Sequence, residues 1–148
     1  MWGPVMNAAL IFFVGLGVLA PALKDAPSKE PGLVGEWWVQ TFAYGDTTAH
    51  DVSYLYLNYV FCSDRTWSEG GLIRSGRTYT VNLKADVATI DMLSGAGTGG
   101  GLFGVYRLSG DTLTICVALG RDDRPTSLES RRGSKAMLMV LKRVTKKN

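Results

Sequence analysis

Histidine and cysteine are scarce in this chain: 148 residues carry one histidine, His50, and two cysteines, Cys62 and Cys116. A tetrahedral zinc site needs several nitrogen or sulfur ligands close together, so no metal centre is expected. His50 stands beside Asp51 and near Ser53. Neighbours on an extended or turning chain do not give a nucleophile, base and orienting group their mutual geometry. His50 is therefore read as an exposed loop residue. Adjacent carboxylates occur only at Asp122 and Asp123, between Arg121 and Arg124, and read as a solvated, charge-balanced turn. No catalytic residue is assigned and no enzymatic activity is expected.

Other absences bound the class. After residue 23 no stretch has long helical periodicity, which argues against an α-helical or α/β domain. Gly95-Ala-Gly97-Thr-Gly-Gly100 matches G-x-G-x-x-G, yet the residues that follow are strand-like. The dinucleotide fingerprint works only by delivering a pyrophosphate to a helix N-terminus, so the segment is read as an inter-strand loop and no cofactor is expected. The stretch 121–148 holds nine Lys or Arg against three acidic residues, whereas 24–120 holds seven against ten. That basic end lacks the interleaved aromatics of single-strand nucleic-acid binding, and no nucleic-acid partner is expected.

What the chain does have begins with an apolar run, Val5 to Ala20, ending at Ala20-Pro21-Ala22, a small-x-small pattern fit for signal-peptidase cleavage. No Lys or Arg precedes the run, and Lys24 and Lys29 follow it, which weakly opposes export by the positive-inside rule. Counted through Leu23, the stretch nears the lower limit for crossing a bilayer. Residues 1–22 are thus a cleaved signal peptide or an uncleaved helical membrane anchor, and residues 5–23 would touch the membrane if kept. Either way the protein is directed to the membrane and is expected to be extracytoplasmic, periplasmic or secreted. Residues 23–32 form a polar linker with two prolines.

From Leu33 onward the pattern is that of short strands separated by turn residues. Gly35 to Phe42 is the first, and Tyr54 to Phe61, YLYLNYVF, reads as a strand covered on both faces. A short strand follows at Thr66-Trp67, then Arg77 to Leu83, with Tyr79, Val81 and Leu83 on one face, and Val87 to Met92. The clearest unit is Gly101 to Ala118, two alternating segments around a tight turn. A two-residue loop at Ser109-Gly110 or Gly110-Asp111 puts Tyr106 and Leu108 on one face with Leu113 and Ile115. Gly120 to Ser134 is polar, and Lys135 to Val144 closes the series. Roughly eight strands in one all-β antiparallel domain, a sandwich or barrel over 33–144 with a basic tail at 145–148, are predicted. Cys62 and Cys116 fall in different strands, and spacing alone does not show whether they pair.

The run from Gly104 to Cys116, GVYRLSGDTLTIC, with Arg124-Pro125-Thr126 and the closing Leu138 to Arg143, resembles the planctomycete lipocalin-like domain family, and Leu33-Val-Gly-Glu-Trp37 matches that family's opening. The resemblance spans about 33–143 and is loose between Ala43 and Thr98. It implies a small lipocalin-like barrel, often in exported proteins. Gly35-x-Trp37 also resembles the first-strand signature of lipocalins. On that likeness Trp37 closes one barrel end, with Gly35 beside it and Arg143 or Lys142 packed on the indole. Aromatic residues are many for this length, and Trp37, Tyr79 and Tyr106 are the candidates to line an interior ligand pocket. The expected function is non-enzymatic binding of a small apolar ligand or an envelope protein. The alternative is a structural or protein-interaction module with a filled core.

Overall fold

The computed structural model describes residues 32–70, 77–95 and 99–146. The predicted signal or anchor helix, all but the last residue of the linker, the middle of the glycine-rich loop and the last two tail residues lie outside the described residues. Among the described residues no helix is long and apolar enough to cross a membrane.

The chain is all-β. Nine strands form one antiparallel sheet: β1 (Gly35–Tyr44), β2 (His50–Asp51), β3 (Asn58–Phe61), β4 (Trp67–Glu69), β5 (Thr78–Asn82), β6 (Thr89–Leu93), β7 (Gly101–Ser109), β8 (Thr112–Leu119) and β9 (Met137–Arg143). Eight of them follow the order β4-β3-β1-β9-β8-β7-β6-β5, and β2 pairs separately with β1. The two ends of this path meet at a bridge between Thr66 and Thr78, where the Tyr79 amide donates to the Arg65 carbonyl at 2.8 Å. The result is a nearly closed eight-strand antiparallel barrel. Closure removes the exposed strand edges that would otherwise template aggregation.

The β7–β8 hairpin turns over Gly110 and Asp111, because Ser109 pairs with Thr112. Tyr106 then stands opposite Ile115, and Leu108 opposite Leu113, all on the interior face as the alternation predicts. Gly104 faces inward on β7 where the wall bends hard onto β8. A Cβ built there would lie 1.9 Å from the Cys116 carbonyl oxygen, so only glycine fits.

Two departures from the sequence reading shape the surface. On β1 the register slips between Val39 and Thr41, a bulge that moves the core-facing position from Trp37 and Val39 to Phe42, while Tyr44 at the strand end is exposed. Opposite that bulge the partner strand is interrupted. The predicted strand Tyr54–Phe61 exists only from Asn58, and the preceding residues leave the wall. Val52 to Leu57, six residues, answers Val39 and Gln40, two residues, on β1. The excursion is pinned at its base by Val52 N–H to the Gln40 carbonyl (2.9 Å) and Val39 N–H to the Leu57 carbonyl (2.8 Å).

The second departure is the polar connection between β8 and β9. It lies as a strap on the outer wall. Beneath it Val105, Cys116 and Ala136 form a small buried cluster outside the barrel, flanked by Val87, Leu128 and Leu138. Arg124 fastens the strap, with its Nη2 2.5 Å from Asp91 Oδ1 on β6. Arg121 and Arg124 also stand 4.8 and 5.7 Å from the centroid of the Phe103 ring.

Candidate functional site

The barrel interior is occupied by side chains. Fifteen buried residues form one contiguous cluster, from Leu33 and Trp37 through Phe61, Tyr79 and Met92 to Leu113 and Leu141. Tyr79 belongs to the closing seam. Its phenol donates to the Cys62 carbonyl at 2.9 Å, and its ring meets Phe61 edge-on at 5.1 Å.

Trp37, Gly35 and Arg143 come together at one end. Trp37 is 0% exposed, and its indole N–H donates to the Leu33 carbonyl at 2.8 Å. Arg143 is its cross-strand partner on β9 and holds its guanidinium carbon 4.2 Å from the ring centroid. The same guanidinium donates to Asp111 Oδ1 at 3.1 Å, to the Val34 carbonyl at 3.1 Å and to the Gly32 carbonyl. Gly35 has φ +143°, and a Cβ there would lie 2.9 Å from an Arg143 nitrogen. The glycine thus lets the arginine pass beneath the chain.

Beside this closure lies a recess of about 480 Å³ between Leu33, the β5–β6 loop and the β7–β8 turn. Its walls are Leu33, Leu83, Val87, Ala88, Tyr106 and Leu108, with Asp86, Arg107 and Arg143 at the rim. Tyr106 is therefore at the recess, Trp37 is not among its lining residues, and Tyr79 sits apart from it. A volume of this size falls in the range of small-molecule sites, although one aromatic wall residue is few for an apolar ligand.

A second polar group lies on β3 and β4, where Tyr59 stands opposite Trp37 and Glu69. Tyr59 stacks on Trp67 with centroids 6.3 Å apart and donates its hydroxyl to Glu69 Oε1 at 2.9 Å. Arg77 places its guanidinium carbon 4.5 Å over the Trp67 ring, and its Nε is buried without a hydrogen-bond partner among the described residues. Burial first, then the Glu69 carboxylate, pushes the Tyr59 phenol well above its ordinary range.

The third feature is one that periodicity hides, because its residues have strand composition. Ser53–Leu55 is a single 3₁₀ turn, Tyr56 is left-handed at φ 50° and ψ 33°, and the excursion carries Tyr54, Leu55, Tyr56 and Leu57 into solvent. Tyr54 and Tyr56 are each 69% exposed. Trp38, which faces outward on β1, meets Tyr56 edge-on at 5.6 Å. Four adjacent tyrosine and leucine residues thus stand in solvent beside an outward tryptophan, the kind of exposed cluster that single scattered surface hydrophobics do not make. No residue in Tyr54–Phe61 marks where the strand begins, and only Asn58–Phe61 pairs.

His50 is exposed on β2, and Asp51 turns its carboxylate to the Ser53 hydroxyl at 2.7 Å and amide at 2.9 Å. Those two bonds hold the Asp51 carboxyl below its ordinary range. Among the described residues no group of three or more His, Cys, Asp or Glu could hold a metal ion. Cys62 and Cys116 are both free thiols. Comparison with protein-family models, with curated proteins and with solved structures gives no match.

Proposed function

We propose that this chain is an exported, non-enzymatic lipocalin-like barrel that acts at the cell envelope through its outer surface, as an interaction module. The likeness to the planctomycete lipocalin-like domains and the apolar run at residues 5–23 support the address. One observation carries the mode of action: the barrel centre is filled by a contiguous buried cluster, while aromatic and leucine side chains that could have joined it stand in solvent at Trp38 and Tyr54–Leu57. An eight-strand barrel is just wide enough to be filled by side chains or to hold one small ligand, and here side chains occupy it.

A second reading is favoured by the recess next to Tyr106, whose apolar floor and charged rim suit the end of a small amphipathic molecule. Native mass spectrometry of protein purified from its own host's envelope separates the two readings. The module reading expects the chain mass alone. A retained small molecule, lost on Tyr106→Ala, supports the second reading. A chain found in the cytoplasm with an intact Met1 overturns both.

A further inference from the structure

The excursion from Ser53 to Leu57 is built at a cost to the backbone. A bulge on β1 and a six-residue departure of the neighbouring strand are matched to each other, and at the tip a tyrosine holds a left-handed conformation that β-carbon sterics disfavour. Only Val52 at its base packs against the barrel core, whereas Tyr54, Leu55, Tyr56 and Leu57 are all exposed. What it creates is a ledge of tyrosine and leucine resting on Trp38. Tyrosine and tryptophan pair an apolar body with a polar handle, and they concentrate where protein meets the boundary between lipid headgroups and acyl chains.

We propose that this ledge is a lipid-interface contact, with Tyr54, Leu55 and Tyr56 entering the headgroup–acyl boundary of the bilayer and Trp38 at its margin. The inference rests on the envelope reading above and gives that surface its partner. The connection to the apolar run favours a bilayer over another protein. The linker 24–31 spans at most about 29 Å when extended. Trp38 lies three residues along β1 from Gly35, about 10 Å from where the chain enters the barrel. A bilayer holding residues 5–23 is thus within reach of the ledge.

The charges nearby are mixed. Lys142 stands opposite Trp38 on β9. Glu36 accepts from Trp38 Nε1 and Asn58 Nδ2, and Asp51 accepts from Ser53. Contact therefore depends on apolar insertion, not on anionic lipid, and is only weakly sensitive to salt.

The test uses the full chain reconstituted in phosphatidylcholine vesicles, without and with phosphatidylglycerol, doped with a lipid carrying a photoreactive group on its acyl chain. Cross-linked peptides are mapped by mass spectrometry. Label is expected in the peptide containing Ser53–Leu57 with either lipid, and Y54S/L55S/Y56S is expected to cut that label roughly tenfold while leaving 5–23 labelled. Those three side chains are exposed, so the variant keeps the barrel, which its thermal transition verifies. Label confined to 5–23 overturns the ledge proposal alone, and label in neither segment overturns the envelope reading with it. Sedimentation in detergent that reveals a dimer dispersed by the triple variant also overturns the proposal, because the ledge would then dock a second copy of the chain.

Discussion

Arg143 packs over Trp37, its guanidinium carbon 4.2 Å from the ring centroid, and from that position ties together segments 109 residues apart in the chain. Its hydrogen bonds reach Val34 and Gly32 before β1 and Asp111 in the β7–β8 turn. The interaction is both a cation–π contact and a charge-assisted clamp, and the bilateral fork is what lets one side chain do both.

Removing either partner should loosen the fold by different amounts. Trp37→Ala leaves a cavity in a fully buried site and is expected to cost about 3–5 kcal/mol. Arg143→Ala loses the ring contact and three hydrogen bonds, about 2–4 kcal/mol together. Arg143→Lys keeps the charge without the fork and should fall roughly halfway. Thermal unfolding reads these as Tm losses of about 4 °C per kcal/mol. An unchanged Tm for Trp37→Ala would remove the indole from the closure.

Gly104→Ala tests the bend in β7. The added methyl would meet the Cys116 carbonyl oxygen at 1.9 Å and the Val117 Cα at 2.7 Å, both backbone atoms held in the ladder. Since neither can rotate away, the two strands must separate, with a loss of more than about 3 kcal/mol. The expected result is insoluble or unfolded protein, read by expression and circular dichroism. A soluble variant with wild-type Tm would show that the hairpin shifts freely.

The barrel was legible where period-two alternation runs unbroken into a marked turn. The β7–β8 hairpin has both, and its loop, register and inward face all follow from the residues. The closing strand at β9 was legible differently, as a short unbroken apolar run from Ala136 to Leu141 between charged residues. Tyr54 to Leu57 misled because its tyrosines and leucines have strand composition, while the feature that expels them, the bulge at Gln40, carries no glycine or proline to mark it. The strap at 120–136 misled in another way. A polar sequence reads as a free loop, and that it covers Val105 and Cys116 depends on a contact between Arg124 and Asp91, 33 residues apart. At the Arg143 end, alternation located the strands. It did not reveal the recess, because Leu83 and Val87 from the β5–β6 loop, Leu108 from β7 and Leu33 from before β1 meet only in the folded chain.

Arg124→Ala should release that strap. The Arg124–Asp91 pair is partly buried and makes a 2.5 Å contact, so its loss is expected to cost about 1–3 kcal/mol. Arg121, largely exposed and 3.7 Å from the same carboxylate, is a weak substitute. Hydrogen exchange should show amides of 120–136 opening faster, with those of β8 that are paired to β7 and β9 unchanged. Faster thiol labelling at Cys116, whose Sγ–H donates to the Glu129 carbonyl at 3.6 Å, is a second reporter. Uniform loss of protection across the barrel would mean instead that the strap and the wall unfold as one.

Alkaline pH should destabilise the fold through two groups. Cys116 is buried and its thiol is pushed up by that burial; Tyr59 is pushed up by burial and by the neighbouring Glu69 charge. Both are acids whose neutral form the fold prefers, so between the unfolded and folded values the native state holds a proton that the unfolded chain has released. Stability therefore falls as pH rises. The contribution is complete well below the ordinary thiol value of 9.0, at which an unshielded thiol is half ionised, and the phenol adds its own loss as pH rises through its ordinary value of 10.0. Each group contributes a slope of up to about 1.4 kcal/mol per pH unit. Urea titrations from pH 7 upward should show a falling midpoint, starting near the thiol range and steepening in the phenol range. Cys116→Ala should remove the first phase, and Tyr59→Phe the second while freeing Glu69 of its donor. A midpoint that stays level to the end of the phenol range would mean that neither group is shielded from water in the folded protein.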